Sequence, residues 1–265
     1  MSTAKSSVRI AIVTGAAQGM GESIALRLAE DGLDVAVNDV PTKLEQLAAV
    51  VKQIEAKGRR AIAVPGDVRS EKDVKALVEK TVETFGSLDV MVANAGVMLL
   101  KAVLDTTTED TDFVYSVNVN GVFWCFKYAA LQMIKQGRGG RIIGASSTAG
   151  KRGQANMAAY SGSKFAVRGI IQSCASEWAQ HKITVNGYSP GAILTPMVLH
   201  PDDAINGGPA STAMKYIGMP LDTRMLNRRS SPALYPISRS QSRSSSLVNA
   251  SMLMEVSVMI ERGLY

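Results

Sequence analysis

Residues 8–21 read V-R-I-A-I-V-T-G-A-A-Q-G-M-G, and the fold follows from them. Val8 to Thr14 is a short, mostly apolar run of strand length. Gly15, Gly19 and Gly21 come next, and from Met20 the pattern turns helical. A buried strand that ends in glycines and passes straight into a helix brings bare N–H groups and the positive end of a helix dipole to one point, which suits a pyrophosphate. The spacing is G-x-x-x-G-x-G, which differs from the G-x-G-x-x-G fingerprint. A merely tight turn could use the same glycines, so their place directly after a strand carries the weight.

Outward from this turn the chain alternates. Strands are predicted at Val8–Thr14, Asp34–Asp39, Ala61–Pro65, Leu88–Ala93, Arg141–Ser146 and Ile183–Tyr188, with helices near 20–31, 42–57, 71–85, 109–135 and 157–180. Leu44, Leu47, Val51 and Ile54 show the three-to-four spacing of one buried helix face. Strands and helices in this rhythm give an α/β fold, a single Rossmann-like doubly wound parallel sheet with helices on both faces. Crossovers should be right-handed and a ligand should lie at the carboxyl ends of the strands. Residues 190–222 break the rhythm with Pro190, Gly191, Pro196, Pro201, Gly207, Gly208, Pro209 and Pro220. Such a segment after the last strand predicts a lid over the ligand, with an ordinary surface loop as the alternative. Residues 1–223 are therefore one dinucleotide-binding catalytic domain, and 224–265 form a tail of different composition.

Composition narrows the function classes. With 46% hydrophobic and 20% charged residues, the 265-residue chain is of ordinary globular type and holds no apolar run long enough for a membrane span. No signal peptide is visible, and two lone cysteines, Cys125 and Cys174, suit a reducing compartment; together these predict a cytoplasmic protein. His181 and His200 are isolated, so no metal cluster is expected. The net charge of +6 invites a nucleic-acid reading, but residues 224–265 hold six arginines and two glutamates, leaving only +2 for residues 1–223. No aromatic-interleaved basic face accompanies that charge, so neither nucleic acid nor membrane is expected as a partner.

Several strand ends carry candidate site residues. Asp39 ends the second strand, 18 residues after Gly21, where a carboxylate could accept both ribose hydroxyls of adenosine and repel a 2′-phosphate. No Arg or Lys stands in the glycine turn or beside Asp39 in sequence to hold such a phosphate, which favours NAD over NADP. The bland reading of Asp39 is a turn cap before Pro41. Asp67-Val68 after the third strand could meet an adenine edge, and Asn94-Ala95-Gly96 after the fourth could line the central cleft. Tyr160 and Lys164 stand four apart on one helix face. A tyrosine of pKa about 10 is a poor proton donor near neutrality, and a neighbouring ammonium is expected to lower that value. Ser147, at the end of the fifth strand, lies 13 residues before Tyr160, and the amide of Asn118 could hold a water beside the lysine.

Taken in order, T-G-A-A-Q-G-M-G, N-A-G, N-V-N-G-V-F, S-S-T-A-G, Y-S-G-S-K and S-P-G-A-I-L-T-P-M resemble the short-chain dehydrogenase/reductase family over residues 8 to about 223. The resemblance implies a catalytic set of Asn118, Ser147, Tyr160 and Lys164. It implies an NAD site of Gly15, Gln18, Gly19, Met20, Gly21, Asp39, Asp67, Val68, Asn94, Ala95, Gly96, Tyr160, Lys164, Pro190, Gly191, Ile193 and Thr195. It further implies reversible hydride transfer between the nicotinamide and a carbonyl or alcohol carbon. Ser147 would hold the substrate oxygen, Tyr160 would move its proton, Lys164 would bind the nicotinamide ribose, and Asn118 would anchor a relay water, with no metal required. The segments F-A-V-R-G, I-T-V-N-G-Y and P-G-A-I-L-T-P-M are similar to acetoin/diacetyl reductases of the 2,3-butanediol dehydrogenase type, which implies a small hydroxyketone, diketone or diol. A sugar, polyol or other carbonyl substrate is the alternative, as is a dinucleotide-binding protein made inactive by its altered C-terminus. Assembly as a homodimer or homotetramer is also implied by the resemblance.

The tail departs from the family, whose members end in a helix, a strand and a T-G-Q-x-x-x-V-D-G-G pattern. Residues 224–265 contain ten serines and six arginines and lack it. Read one nucleotide out of frame, Met254-Glu255 must encode glycine, and suitable codons restore the family's closing motif in the right place. A frameshift beginning near Thr223–Arg224 is therefore expected, with a divergent or disordered serine–arginine tail as the alternative.

Overall fold

Neighbouring residues of one strand serve opposite layers, and the domain is built on that alternation. The computed structural model describes residues 8–221 and 226–227. Strands β1 (Ile10–Thr14), β2 (Asp34–Asn38), β3 (Ala61–Ala63), β4 (Val90–Ala93), β5 (Gly140–Ala145) and β6 (Ile183–Tyr188) form one parallel sheet in the order β3-β2-β1-β4-β5-β6. Ala11, Val13, Val35, Val37, Val90, Val92 and Ile143 enter one core layer. They meet Ile24 and Leu28 of α1 (Gly19–Glu30) and Leu47 and Ile54 of α2 (Leu44–Glu55). The interleaved Ile12, Ala36, Met91, Ala93 and Ile142 enter the other layer. That layer is filled by Leu77 of α3 (Glu71–Phe85), Phe126 and Met133 of α5 (Gly121–Gln136) and Val167 of α6 (Ala158–Trp178). Each such Leu, Ile or Phe contributes about 1.5–3 kcal/mol by leaving water. The doubly wound sheet expected from the sequence is thus present.

Local chemistry sets the element ends. Helix α3 starts where Ser70 Oγ accepts from the Asp73 N–H at 3.2 Å and stops at Gly86, left-handed at φ +91°. It spans the residues predicted for it. The helix expected over 109–135 is two helices, α4 (Thr108–Tyr115) and α5, joined by a π-helical turn at Ser116–Asn120. Thr107 and Asp110 close a reciprocal capping box at the start of α4.

The 190–222 excursion has structure of its own: β7 (Ile193–Leu194), a 3₁₀ turn at Pro196–Val198, α7 (Asp203–Asn206) and α8 (Ser211–Tyr216). The Asp203 carboxylate ties it together, accepting from the main-chain N–H groups of His200 (3.0 Å), Ala210 (2.7 Å) and Thr212 (3.0 Å). These bonds hold its carboxyl well below the usual carboxylate range. Strand β7 pairs in parallel with β8 (Leu226–Asn227). The frameshift reading of the tail otherwise lies outside the described residues. Among the described residues no helix is long and apolar enough to cross a membrane, and no cluster of three or more His, Cys, Asp or Glu gathers for a metal.

Candidate active site

The strand order reverses between β1 and β4, and a cleft of about 400 Å³ opens there at the carboxyl ends. Its floor is the glycine turn. A Cβ on Gly21 would overlap the Gly15 carbonyl oxygen, and one on Gly15, itself at φ +63°, would stand 2.8 Å from Ala95 Cα. The turn is held from behind by Asn94, whose Nδ2 donates to the Thr14 and Gly15 carbonyls at 2.9 and 3.2 Å. Asn94 Oδ1 accepts from the Tyr188 hydroxyl at 2.7 Å, so one side chain clasps β1 and β6 to β4. Gly15, Gln18, Gly19, Met20 and Gly21 line the cleft on this side.

Further along, the Asp39 carboxylate accepts from the N–H groups of Ala17 (3.1 Å) and Val40 (2.9 Å), fastening the end of β2 to the glycine loop. Lys43, four residues beyond, brings Nζ within 3.5 Å of Gln18 Oε1. The glycine turn and the neighbours of Asp39 hold no Arg or Lys, as expected from the sequence, but the turn after β2 brings one cation back to Gln18 of the glycine loop. Asp67 lines the cleft with Val68, but its carboxylate is gripped by Arg69 at 2.6 Å, which holds it below the usual carboxylate range. The Arg69 guanidinium also lies 5.5 Å over the ring of Phe113. Asn38, Arg69, Phe113 and Met197 line the cleft and were passed over in the sequence. Asn38 and Arg69 stand beside strand-end residues already singled out, and that adjacency was the available signal.

From the excursion, Thr195 lines the cleft and faces Gly19. Ile193 instead turns its side chain into the core and is 6% exposed, leaving its main chain as the part it can offer a ligand. The Pro190 carbonyl accepts from the Thr148 N–H at 2.9 Å, so Pro190 and Gly191 link the sheet edge to the turn after β5. Pro190, Gly191 and Ile193 are not in the cleft wall itself, and neither are Tyr160 and Lys164.

Behind Gly96 of the cleft wall stand Lys164 and, with it, Ser147 and Tyr160. Ser147 follows β5, and Tyr160 and Lys164 rise from consecutive turns of α6. All three are buried, and the Ser147 hydroxyl accepts from the Ala149 N–H at 3.1 Å and donates to the Pro190 carbonyl at 3.5 Å. Burial pushes the Tyr160 phenol upward, and the Ser147 hydroxyl opposes it. The expected lowering by an adjacent ammonium is thus reversed here: Lys164 Nζ lies 5.8 Å from the Tyr160 ring centroid and donates to the Ala145 carbonyl at 2.9 Å. Burial pulls Lys164 down to about 8.

Asn118 sits in the π-helical turn and is fully buried. Its Oδ1 accepts from the Val97 N–H (2.8 Å), and its Nδ2 donates to the Val97 carbonyl (2.9 Å) and Ser163 Oγ (3.0 Å). Both amide hydrogens go to protein acceptors rather than outward into the cleft. The side chain instead pins the loop after β4 to α6. A Cβ on Gly96 would stand 3.2 Å from Asn118 Oδ1 and 3.3 Å from Lys164 Nζ, so the cleft wall packs tightly against this group.

A family model described as short chain dehydrogenase matches residues 9–204. A short-chain dehydrogenase/reductase of Armillaria gallica is 50% identical over 199 residues, covering 75% of this chain and 76% of its own. An L-2,3-butanediol dehydrogenase of Corynebacterium glutamicum is 40% identical over 210 residues, 78% of this chain and 81% of its own. A crystal structure of a short chain dehydrogenase/reductase from Burkholderia phymatum in complex with NAD aligns at TM-score 0.69 and 27% identity, over 72% of this chain and 68% of that one. Sheet order, glycine turn and matched length agree, and the chain belongs to the short-chain dehydrogenase family of oxidoreductases.

Proposed function

We propose that the chain is an NAD(H)-dependent oxidoreductase that interconverts a ketone and a secondary alcohol, with Tyr160 as general acid/base. The single observation that supports this most is the buried Ser147–Tyr160–Lys164 group beside a cleft whose glycine turn has no room for a side chain at Gly15 or Gly21. Such a turn fits a pyrophosphate. The dinucleotide would lie along Gly15, Gly19, Gly21, Asp39 and Asn94, and when bound it supplies or accepts the hydride.

The chain's own residues do the rest. In the reductive direction the buried Tyr160 hydroxyl, protonated at neutral pH, donates its proton to the carbonyl oxygen. The Ser147 hydroxyl holds that oxygen. Lys164 is an ammonium below about pH 8, and its charge offsets that of the phenolate as the proton leaves. Asn118 holds the loop that carries Gly96 against this group.

Two features favour NAD over NADP: the Asp39 carboxylate at the glycine loop and the engagement of Arg69 by Asp67. Lys43 is the one feature on the other side. A small hydroxyketone, diketone or diol is the substrate class, supported by the likeness to an L-2,3-butanediol dehydrogenase. Absorbance of the reduced nicotinamide, followed with NADH or NADPH and butane-2,3-dione or acetoin, tests the reading. Oxidation of NADH in preference to NADPH is the expected result, and silence with both cofactors across a panel of ketones contradicts it.

A further inference from the structure

Ala149, Met157 and Tyr160 form a small buried cluster separate from both core layers, and Met98, Leu100 and Ile217 pack against it. These residues come from the loop after β4, the turn after β5, the start of α6 and the end of α8. Segments so far apart in sequence need a tie to present one surface, and Asn156 makes it. Its backbone is left-handed at φ +58°, a conformation asparagine tolerates better than most residues. There its main-chain carbonyl accepts from the Lys101 N–H at 2.8 Å, and its side-chain Nδ2 donates to the Tyr216 carbonyl at 2.6 Å. Lys101 follows Leu100, Tyr216 precedes Ile217, and Asn156 precedes Met157. Each group joined through Asn156 therefore adjoins a residue of the apolar cluster.

We propose that Asn156 is a positioning residue for substrate specificity. It fastens the loop after β4 and the end of α8 to the start of α6, closing Met98, Leu100, Met157 and Ile217 into an apolar wall beside Tyr160. That wall takes an uncharged carbonyl compound bearing an alkyl group and rejects a carboxylate in the same place. The inference rests on the oxidoreductase reading, with Tyr160 at the reacting carbonyl. A methyl group gains by contact with the wall, whereas a carboxylate loses its hydration against these apolar side chains. The wall is delivered partly by the excursion, which the Asp203 carboxylate ties together internally, so the Asn156–Tyr216 bond acts on that segment as a whole.

The test uses the full chain, NADH, and two compounds of nearly equal size, butane-2,3-dione and pyruvate, in which a methyl group is exchanged for a carboxylate oxygen. The wild-type chain should favour the dione by at least about a hundredfold in kcat/KM. Asn156→Gly keeps the left-handed backbone and removes only the amide. It should raise KM for the dione about tenfold with kcat changed far less. NADH affinity, read by fluorescence titration, should not change in this variant. Ile217→Lys should shift the preference toward pyruvate, a gain that general loosening of the fold would not produce. An unaltered KM in Asn156→Gly, or an unaltered preference in Ile217→Lys, overturns the proposal. A wild-type chain that binds NADH and reduces no carbonyl compound overturns the oxidoreductase reading beneath it, and that control separates the two failures.

Discussion

The two ends of the candidate site are built by opposite means. At the dinucleotide end the constraint lies in the backbone: Gly15 and Gly21 stand where a Cβ would meet Ala95 or the Gly15 carbonyl, and Asn94 clasps the turn from behind. At the Tyr160 end the constraint lies in the environment of side chains. Burial sets the proton affinities of Tyr160 and Lys164, and a hydroxyl from Ser147 adjusts the first. The first kind of site fails when an atom is added. The second fails when a proton moves, and the predictions divide accordingly.

The largest effect is expected at the backbone end. Gly21→Ala places a methyl group on the Gly15 carbonyl, so the turn must shift; overpacking of this kind costs about 1–3 kcal/mol of stability. NADH affinity should fall by up to about a hundredfold in the same variant, read by thermal melting and fluorescence titration. Unchanged melting and binding would mean that the turn is slack and the contrast between the two ends false.

The environmental end should show itself in pH. Burial lowers Lys164, so the folded chain releases this proton near pH 8 while the unfolded chain keeps it to about 10.5. Between these values the unfolded state binds more protons, and stability should rise with pH. Reductive kcat/KM should instead fall above about pH 8, approaching tenfold per unit as the ammonium is lost. Denaturant titrations and initial rates from pH 7 to 10 check both signs.

Smaller effects separate the charges on the cleft rim. Asp39→Asn removes the charge and one of the two acceptors that meet the Ala17 and Val40 N–H groups, and should weaken NADH by about tenfold while easing NADPH. Lys43→Ala breaks an exposed contact to Gln18 and should change NADH affinity by less than about threefold. A larger effect from Lys43 than from Asp39 would reverse the assignment of cofactor preference.

The same contrast governs how much could be read from the sequence. Strand–glycine–helix order, the alternation that builds two core layers, and the limits of α3 were legible because each depends on neighbours within a few residues. Ser70 and Gly86 mark α3 in the sequence itself. The π-helical turn at Ser116–Asn120 was not legible, because the partners of Asn118 are Val97 and Ser163, 21 and 45 residues away. Helices α7 and α8, four and six residues long, are too short to show a period and depend on the Asp203 carboxylate for their turns. Lys43 reaches Gln18 across 25 residues, and sequence neighbourhood gave no hint of it. Tyr160 and Lys164 were identifiable by spacing, yet the sign of the Tyr160 shift depends on burial that spacing does not encode.

Single-turnover oxidation of NADH already bound to the full chain, started by butane-2,3-dione and compared between the wild type and Tyr160→Phe, bears most directly on the central claim. The account predicts equal NADH affinity in both, with the hydride-transfer rate of the variant lower by about a hundredfold to ten-thousandfold. A Tyr160→Phe chain that oxidises NADH at the wild-type rate would contradict it.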